Sequence, residues 1–245
     1  MRFAHAKLGL VIPTLNEAGN IPVLLERLQK TLEPIELEYE LIVVDDDSQD
    51  GTPEAVQSYA REDSRIRLLS RRGQRGLAGA VIHGWNHTDA SWLGVIDADL
   101  QHPPEVLISL LHAIRSGSDL AIASRYTSNH RDSVSDWSRI RRLISSFSTW
   151  ATLPLQRKGL RVSDPMSGYF VVRRECIEGI DLQPQGFKIL LEILVKARLH
   201  QVAEVPFRFA TRHAGKSKAD LKVALDYFSL LGKLSRYAMF RPEQR

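Results

Sequence analysis

Asp97 and Asp99 stand one residue apart, with Gln101 two further on, in the run Trp92-Leu93-Gly94-Val95-Ile96-Asp97-Ala98-Asp99-Leu100-Gln101-His102-Pro103. An apolar stretch that stops abruptly in carboxylates reads as a strand with acids at its carboxyl end. In open α/β sheets, ligands bind outside those ends. Two acids so close repel each other unless a cation lies between them. Asp-x-Asp followed by a carboxamide offers only hard oxygen donors, which suit Mg²⁺ or Mn²⁺ better than zinc. The plainer alternative is two solvated acids capping a helix that starts near Pro103.

Two more polar clusters follow short apolar runs. Pro13 to Glu17 comes after Leu8-Gly9-Leu10-Val11-Ile12, and Asp45 to Asp50 after Leu41-Ile42-Val43-Val44. Three such clusters on one sheet edge make an acid-lined crevice, able to hold a divalent cation and hydrogen-bond a base or ribose. The charge is divided along the chain. Residues 1–120 carry 11 Lys/Arg against 18 Asp/Glu, and residues 121–245 carry 22 against 11, within a net charge of +4. A basic half calls for an anionic partner such as a phosphorylated substrate, a nucleic acid or an anionic membrane. It supplies Arg125, Arg141, Arg212 and Lys218 for phosphates, and a nucleotide diphosphate would need both halves.

The elements that must position these residues alternate. Apolar runs at 8–12, 41–44, 66–69, 92–96 and 120–123 read as strands, and Ile21 to Leu28, Thr52 onward, Gly76 to His87 and Pro104 to Ser116 as helices. That rhythm predicts βαβ units, a mostly parallel sheet and helices on both faces. Beyond Arg125 the rhythm breaks. Thr127 to Asp136 reads as a polar loop. Ser138 to Leu155 reads as a basic helix with Phe147 and Trp150 on its apolar face, either an interfacial membrane helix or one packed on the core. Tyr169 to Val172 is expected as a strand, Phe187 to Leu199 as an amphipathic helix, and Val202 to Phe209 as an edge strand interrupted by Pro206. Thr211 to Lys218 reads as a basic loop and Leu221 to Met239 as a last helix. With no evident linker, one domain is expected, with an acid-rich, metal-binding half at 8–125 and a basic, phosphate-binding half at 126–245.

Other features carry less. Gly73, Gly76 and Gly79 lack the dinucleotide-fingerprint spacing and suit a turn with close helix packing. His83 and His87 lack the metalloprotease glutamate between them. The single cysteine, Cys176, excludes an intrachain disulfide framework and fits a reducing compartment. The N-terminal residues lack the apolar core of a signal peptide, and no run of about 18 apolar residues occurs.

In order and spacing, several motifs together resemble the dolichol/polyprenol-phosphate mannosyltransferases of the inverting family 2 glycosyltransferases. They are Val11 to Glu17, Val43 to Asp46, Asp97 to Pro103, Ser124-Arg125-Tyr126, Asp164 to Gly168, Gly186 to Glu192, Glu204-Val205-Pro206, and Arg212 to Lys218. The resemblance implies a GT-A fold with C-terminal amphipathic helices. It implies transfer of mannose from GDP-mannose to a polyprenyl monophosphate, with Mg²⁺ or Mn²⁺. Pro13, Leu15, Glu17, Val44 and Asp46 would line the guanine-nucleoside pocket, with Ala98 beside the nucleotide. Asp97, Asp99 and Gln101 would hold the metal. Arg125, Arg141, Arg212 and Lys218 would bind phosphates, and Asp99 and Arg125 would carry the catalysis. Leu15 departs from the tyrosine that many relatives have there.

The enzyme is then expected to work peripherally at the cytoplasmic face of a membrane, directly or through a membrane-anchoring partner. The enzymatic alternative is the same fold using UDP-glucose or another sugar nucleotide. A non-enzymatic nucleic-acid binder would leave the three acidic clusters unexplained, so no nucleic-acid partner is expected.

Overall fold

In a computed structural model, residues 2–126, 152–157, 159–183, 188–208, 210 and 230–237 are described. Seven strands form one sheet in the order β3-β2-β1-β4-β6-β5-β7. They are β1 Arg2–Thr14, β2 Glu36–Asp45, β3 Ile66–Ser70, β4 Trp92–Val95, β5 Leu120–Ser124, β6 Phe170–Arg173 and β7 Val202–Pro206. β1 pairs in parallel with β2 and β4, β2 with β3, and β5 with β7, while β6 runs antiparallel to both β4 and β5. Strands from both halves of the chain therefore build the same sheet.

The helices are α1 Ile21–Leu32, α2 Thr52–Glu62, α3 Leu77–Asn86, α4 Val106–Arg115, α5 Arg174–Ile177 and α6 Ile189–Lys196. Alternate strand residues face opposite sides, and the two sides make two cores. Leu8, Leu10 and Ile12 of β1, with Leu41 and Val43 of β2, meet Leu24, Leu25 and Leu28 of α1 and Leu107, Leu110 and Leu111 of α4. Val11, Ile42 and Val44 turn the other way, onto Ala80, Val81 and Trp85 of α3, in a core that α6 joins through Ile193 and Leu194. Full burial of each such side chain stabilises the fold by about 1.5–3 kcal/mol. Coverage of both sheet faces explains why these strands read as unbroken apolar runs. One close approach fixes α3, because a Cβ on Gly84 would lie 2.6 Å from Val11 Cγ2.

The strand at 170–173 is present and runs antiparallel to both neighbours, in a sheet that is otherwise parallel as expected. Three expectations are corrected. β1 does not stop before Pro13, which stays in register opposite Val44. The helix at 189–196 is not amphipathic. Residues 189–195 are all buried, because one side packs on the sheet while Leu191 and Val195 meet Leu155, Leu230 and Leu234. The edge strand β7 ends at Pro206 and does not continue to Phe209. Most of the expected 138–155 helix and the 211–218 loop lie outside the described residues, as do Arg141, Arg212 and Lys218. Of the expected last helix only 230–237 is described, and it is helical.

Candidate active site

Strand order reverses at β1, which has β2 on one side and β4 on the other. A crevice opens at the carboxyl ends at such a switch point, and the clusters after β1, β2 and β4 all emerge there.

The first two clusters are zipped into one shelf. Asn16 N–H donates to Ser48 Oγ (2.8 Å), Gln49 N–H to Asn16 Oδ1 (3.0 Å), Glu17 N–H to Thr52 Oγ1 (2.9 Å) and Ala18 N–H to Asp50 Oδ2 (3.0 Å). Two of the acids serve this architecture. Buried Asp45 accepts from Ser48 N–H and Oγ and from Thr14 Oγ1, while Asp50 caps α2 through Thr52. The expected acid lining is thus smaller than the residue count suggests. Asp46 is buried too. Its Oδ2 accepts from Gly76 N–H (2.7 Å), and Arg71 Nη1 lies 3.0 Å from its Oδ1. Burial raises its pKa, against the pull of Gly76 N–H and Arg71. Pro13, Leu15 and Glu17 are half-buried along the shelf, and Asn20 Nδ2 donates to Glu17 Oε2 (2.6 Å). The Val44 side chain faces the core beneath α3, leaving its main chain at the shelf, where its carbonyl accepts from Thr14 Oγ1 (3.2 Å).

At the end of β4, Asp97 keeps about 30% of its side chain exposed. It lies flush against the backbone of Gly168, where a Cβ would stand 2.1 Å from Asp97 Oδ2. Ala98 is buried. Asp99, partly exposed, accepts from Gln101 N–H through Oδ1 (3.1 Å) across Leu100, whose φ is +61°. Gln101 is tied to the chain that leads toward Arg212. Its carbonyl accepts from Ala210 N–H (3.0 Å), and its Nε2 lies 3.5 Å from the Ala210 carbonyl. His102 is buried against Tyr169 and Phe207, with Nδ1 3.9 Å from Asp97 Oδ2. Burial pushes its pKa down to about 3, so the ring is neutral at pH 7.

Arg125, just past β5, forms a fork with Asp164. Nε reaches Oδ2 and Nη2 reaches Oδ1, both at 2.7 Å, while Arg125 N–H also donates to Oδ2 (3.1 Å). Asp164 has no exposure and the Arg125 side chain 13%. Burial would raise the Asp164 pKa, and the Arg125 guanidinium overcomes it and holds the carboxyl below its usual range. Glu204 of β7 fixes the segment by accepting Ser163 N–H (2.9 Å) and Asp164 N–H (3.2 Å). Lys188, at the start of α6, donates from Nζ to the Met166 carbonyl (3.2 Å). Asp164, Gly168, Lys188 and Glu204 had no role assigned from sequence. Their partners lie 39 or more residues away for Asp164 and Glu204, so spacing could not pair them. The signal present was an acid-to-glycine segment immediately before a strand.

A divalent cation fits this donor set in part. Asp97, Asp99 and Gln101 supply hard oxygens from one partly exposed turn. Among the described residues, no three His, Cys, Asp or Glu side chains form a group that could hold a metal on their own. Such an open set suits Mg²⁺ or Mn²⁺, which keep water and phosphate oxygens in their shell, and not a closed structural site.

Residues 10–180 match the sequence profile of Glycosyl transferase family 2. The chain belongs to that family. A dolichol-phosphate mannosyltransferase of Pyrococcus furiosus is 40% identical over 231 residues, covering 94% of this chain and 64% of that one. This family 2 glycosyltransferase thus spans just under two thirds of that relative. A dolichol-phosphate mannosyltransferase of Mycosarcoma maydis is 36% identical over 237 residues, covering 94% of this chain and 79% of the other. Among solved structures, a glucosyl-3-phosphoglycerate synthase of Mycobacterium tuberculosis superposes with a TM-score of 0.67 at 20% identity, over 98% of this chain and 82% of that one. At that identity the likeness speaks for the fold, an α/β glycosyltransferase fold.

Proposed function

We propose that the protein is a polyprenyl-phosphate β-D-mannosyltransferase, moving mannose from GDP-mannose to a polyprenyl monophosphate with inversion at the anomeric carbon. The observation that carries this is the pairing of two features in one crevice. An Asp97-Ala98-Asp99-Leu100-Gln101 turn stands opposite a buried Arg125–Asp164 fork, in a chain 36–40% identical to dolichol-phosphate mannosyltransferases. We take residues 8–125 and 126–245 as the donor and acceptor halves of one domain.

A phosphate monoester is already anionic at pH 7, so it can attack without a strong general base. One of its oxygens bonds to the anomeric carbon of mannose as the bond from that carbon to the GDP oxygen breaks. GDP leaves with the electron pair. The protein's work is then to position two anions and stabilise charge. The shelf of Pro13, Leu15, Glu17, Asp46 and the Val44 main chain receives the nucleoside. Asp97, Asp99 and Gln101 would hold Mg²⁺ or Mn²⁺, which when bound neutralises the departing diphosphate. Arg125, oriented by Asp164, is assigned to phosphate, and Arg141, Arg212 and Lys218 to the same task. His102, neutral and buried, supports Asp97 without adding charge.

The lipid acceptor places the working enzyme at a membrane surface, which we propose is the cytoplasmic face, reached directly or through an anchoring partner. Among the described residues, no helix is long and apolar enough to cross a membrane. Co-flotation with anionic liposomes tests the docking. The reaction is tested by offering GDP-mannose and UDP-glucose in parallel with one polyprenyl phosphate and Mg²⁺. Mannosyl-phosphoryl lipid from GDP-mannose alone is expected, with turnover abolished in Asp99→Ala. Turnover of UDP-glucose in preference to GDP-mannose, or near-normal activity of Asp99→Ala, would overturn the reading.

A further inference from the structure

Residues 160–164 form neither helix nor strand, so their main-chain N–H groups need partners from elsewhere. Side chains supply three in succession. Val162 N–H donates to Gln156 Oε1 (2.8 Å), Ser163 N–H to Glu204 Oε2 (2.9 Å) and Asp164 N–H to Glu204 Oε1 (3.2 Å). Both carboxylate oxygens of Glu204 are thus spent on two adjacent peptide groups. The strand β7 sets that carboxylate in place. Glu204 stands opposite Ile122 of β5, and two residues on, Pro206 stands opposite Ser124, the neighbour of Arg125. Val202 packs on the α3 side of the sheet, so strand alternation puts Glu204 on that same face, where Val162 is buried.

Asp164 is therefore held twice. Glu204 takes its main-chain N–H, and its carboxylate accepts from Arg125 Nε, Nη2 and main-chain N–H. The fork alone fixes the guanidinium relative to Asp164 and would let the pair shift as a unit. The Glu204 bonds tie Asp164 to β7, and so tie the guanidinium to the sheet edge. A carboxylate suits that task, because an ionised acceptor makes hydrogen bonds roughly twice as strong as a neutral one.

We propose that Glu204 is a positioning residue for phosphate binding. It holds Asp164, and through Asp164 it sets the Arg125 guanidinium where a substrate phosphate is met. The proposal rests on the reading above of Arg125 as a phosphate-binding residue. The phosphate is either the donor diphosphate or the acceptor monophosphate, and the two are separable by probe.

The experiment is a double-mutant cycle of Glu204→Gln and Arg125→Lys, read by calorimetry. The probes are inorganic pyrophosphate at saturating Mn²⁺ and, separately, farnesyl phosphate. Gln keeps one oxygen for one N–H and sets its amide nitrogen against the other. With Arg125 present, Glu204→Gln should weaken one phosphate arm by about tenfold or more, the loss of one hydrogen bond to a charged group. The arm that falls identifies the phosphate. In the Arg125→Lys background, where no fork remains to be placed, the same change should cost less than twofold. Equal losses in both backgrounds are the mark of a purely structural role and would overturn the proposal. So would Glu204→Gln within twofold of wild type in both arms while Arg125→Lys is weakened. Arg125→Lys at wild-type affinity in both arms would refute the phosphate reading of Arg125, and the proposal with it. Should Glu204→Gln melt too low to compare, amide hydrogen exchange in the wild-type protein reads the same link. Coupling is reciprocal, so the phosphate that Arg125 binds should slow exchange of the Ser163 and Asp164 N–H groups. Slowing by at least threefold under one probe is expected, and unchanged exchange under both would sink the idea.

Discussion

Replacing Gly168 by alanine adds one methyl group where the segment leading into β6 lies flush against Asp97. The new Cβ would stand 2.1 Å from Asp97 Oδ2, 2.6 Å from Cγ and 2.8 Å from Oδ1. Carbon–oxygen contacts settle no closer than roughly 3.3 Å, so something must retreat by about 1 Å. Gly168 does not have a left-handed φ, so alanine brings no backbone penalty and the effect is steric. The segment itself is held at several points. Asp164 is forked to Arg125, the Met166 carbonyl accepts from Lys188, and Tyr169 N–H donates to Ser167 Oγ. The half-buried Asp97 carboxylate yields first. Overpacking of this kind costs about 1–3 kcal/mol, or a melting point lowered by about 2–12 °C for a chain of this size. On the proposed role of Asp97 the functional effect is larger, since displacing the orientation of a metal ligand typically weakens affinity by about 10–100-fold. Titrating Mn²⁺ by electron paramagnetic resonance, with Asp97→Asn as the reference for a lost ligand, measures it directly. A folded Gly168→Ala whose Mn²⁺ affinity stays within twofold of wild type would refute both the contact and the assignment of Asp97.

The Arg125–Asp164 fork predicts a large stability effect. Asp164→Asn leaves the 13%-exposed guanidinium without its counter-charge, and should destabilise by about 3–5 kcal/mol, seen as a melting point about 6–20 °C lower. A loss below about 1 kcal/mol would mean that the pair is not buried as described. The same pair has a defined pH signature. The folded pKa of Asp164 is depressed, so its contribution is complete above the unfolded value near 4 and is lost as pH falls from there toward the folded value. The gap between wild type and Asp164→Asn in urea melts should therefore close below about pH 4, and a gap constant from pH 7 to 3 would contradict the assignment. In α3, Gly84→Ala gains about 1 kcal/mol of helix propensity. It also drives a methyl to 2.6 Å from Val11 Cγ2 and 3.1 Å from Val44 Cγ2, so a net loss in calorimetry with unchanged Mn²⁺ affinity is expected, and a stabilised variant would refute the packing.

What the sequence made legible was local. The strands under the Pro13, Asp45 and Asp97 clusters are covered on both faces, so each shows as a run of Leu, Ile and Val before a polar turn, and their placement on one edge follows from βαβ geometry. The roles of individual acids did not follow. Asp45 and Asp50 look the same as Asp97 in one dimension, yet they close hydrogen bonds within their own loops. The direction of β6 was hidden because a strand as short as Phe170-Val171-Val172-Arg173 carries no pattern that differs with the way it runs. The burial of α6 on both sides was hidden as well, because Leu230 and Leu234 come from beyond residue 220.

The reversed β6 is what makes one site from two differently charged halves. In a wholly parallel sheet, the segment before each strand enters at the amino edge, away from the crevice. Because β6 runs against β4 and β5, its entry segment, residues 164–168, arrives at the carboxyl edge beside Asp97 and Arg125. That segment then touches the machinery from four directions. Asp164 orients Arg125, Gly168 admits the Asp97 carboxylate, Met166 receives Lys188, and Glu204 of β7 holds the backbone at 163 and 164. Among the described residues, this junction is what brings the Arg125–Asp164 fork of the second half to the carboxylate of Asp97 in the first. A change in the segment should therefore disturb metal and phosphate binding together, whereas a change in the shelf of residues 13–18 and 45–52 should disturb neither.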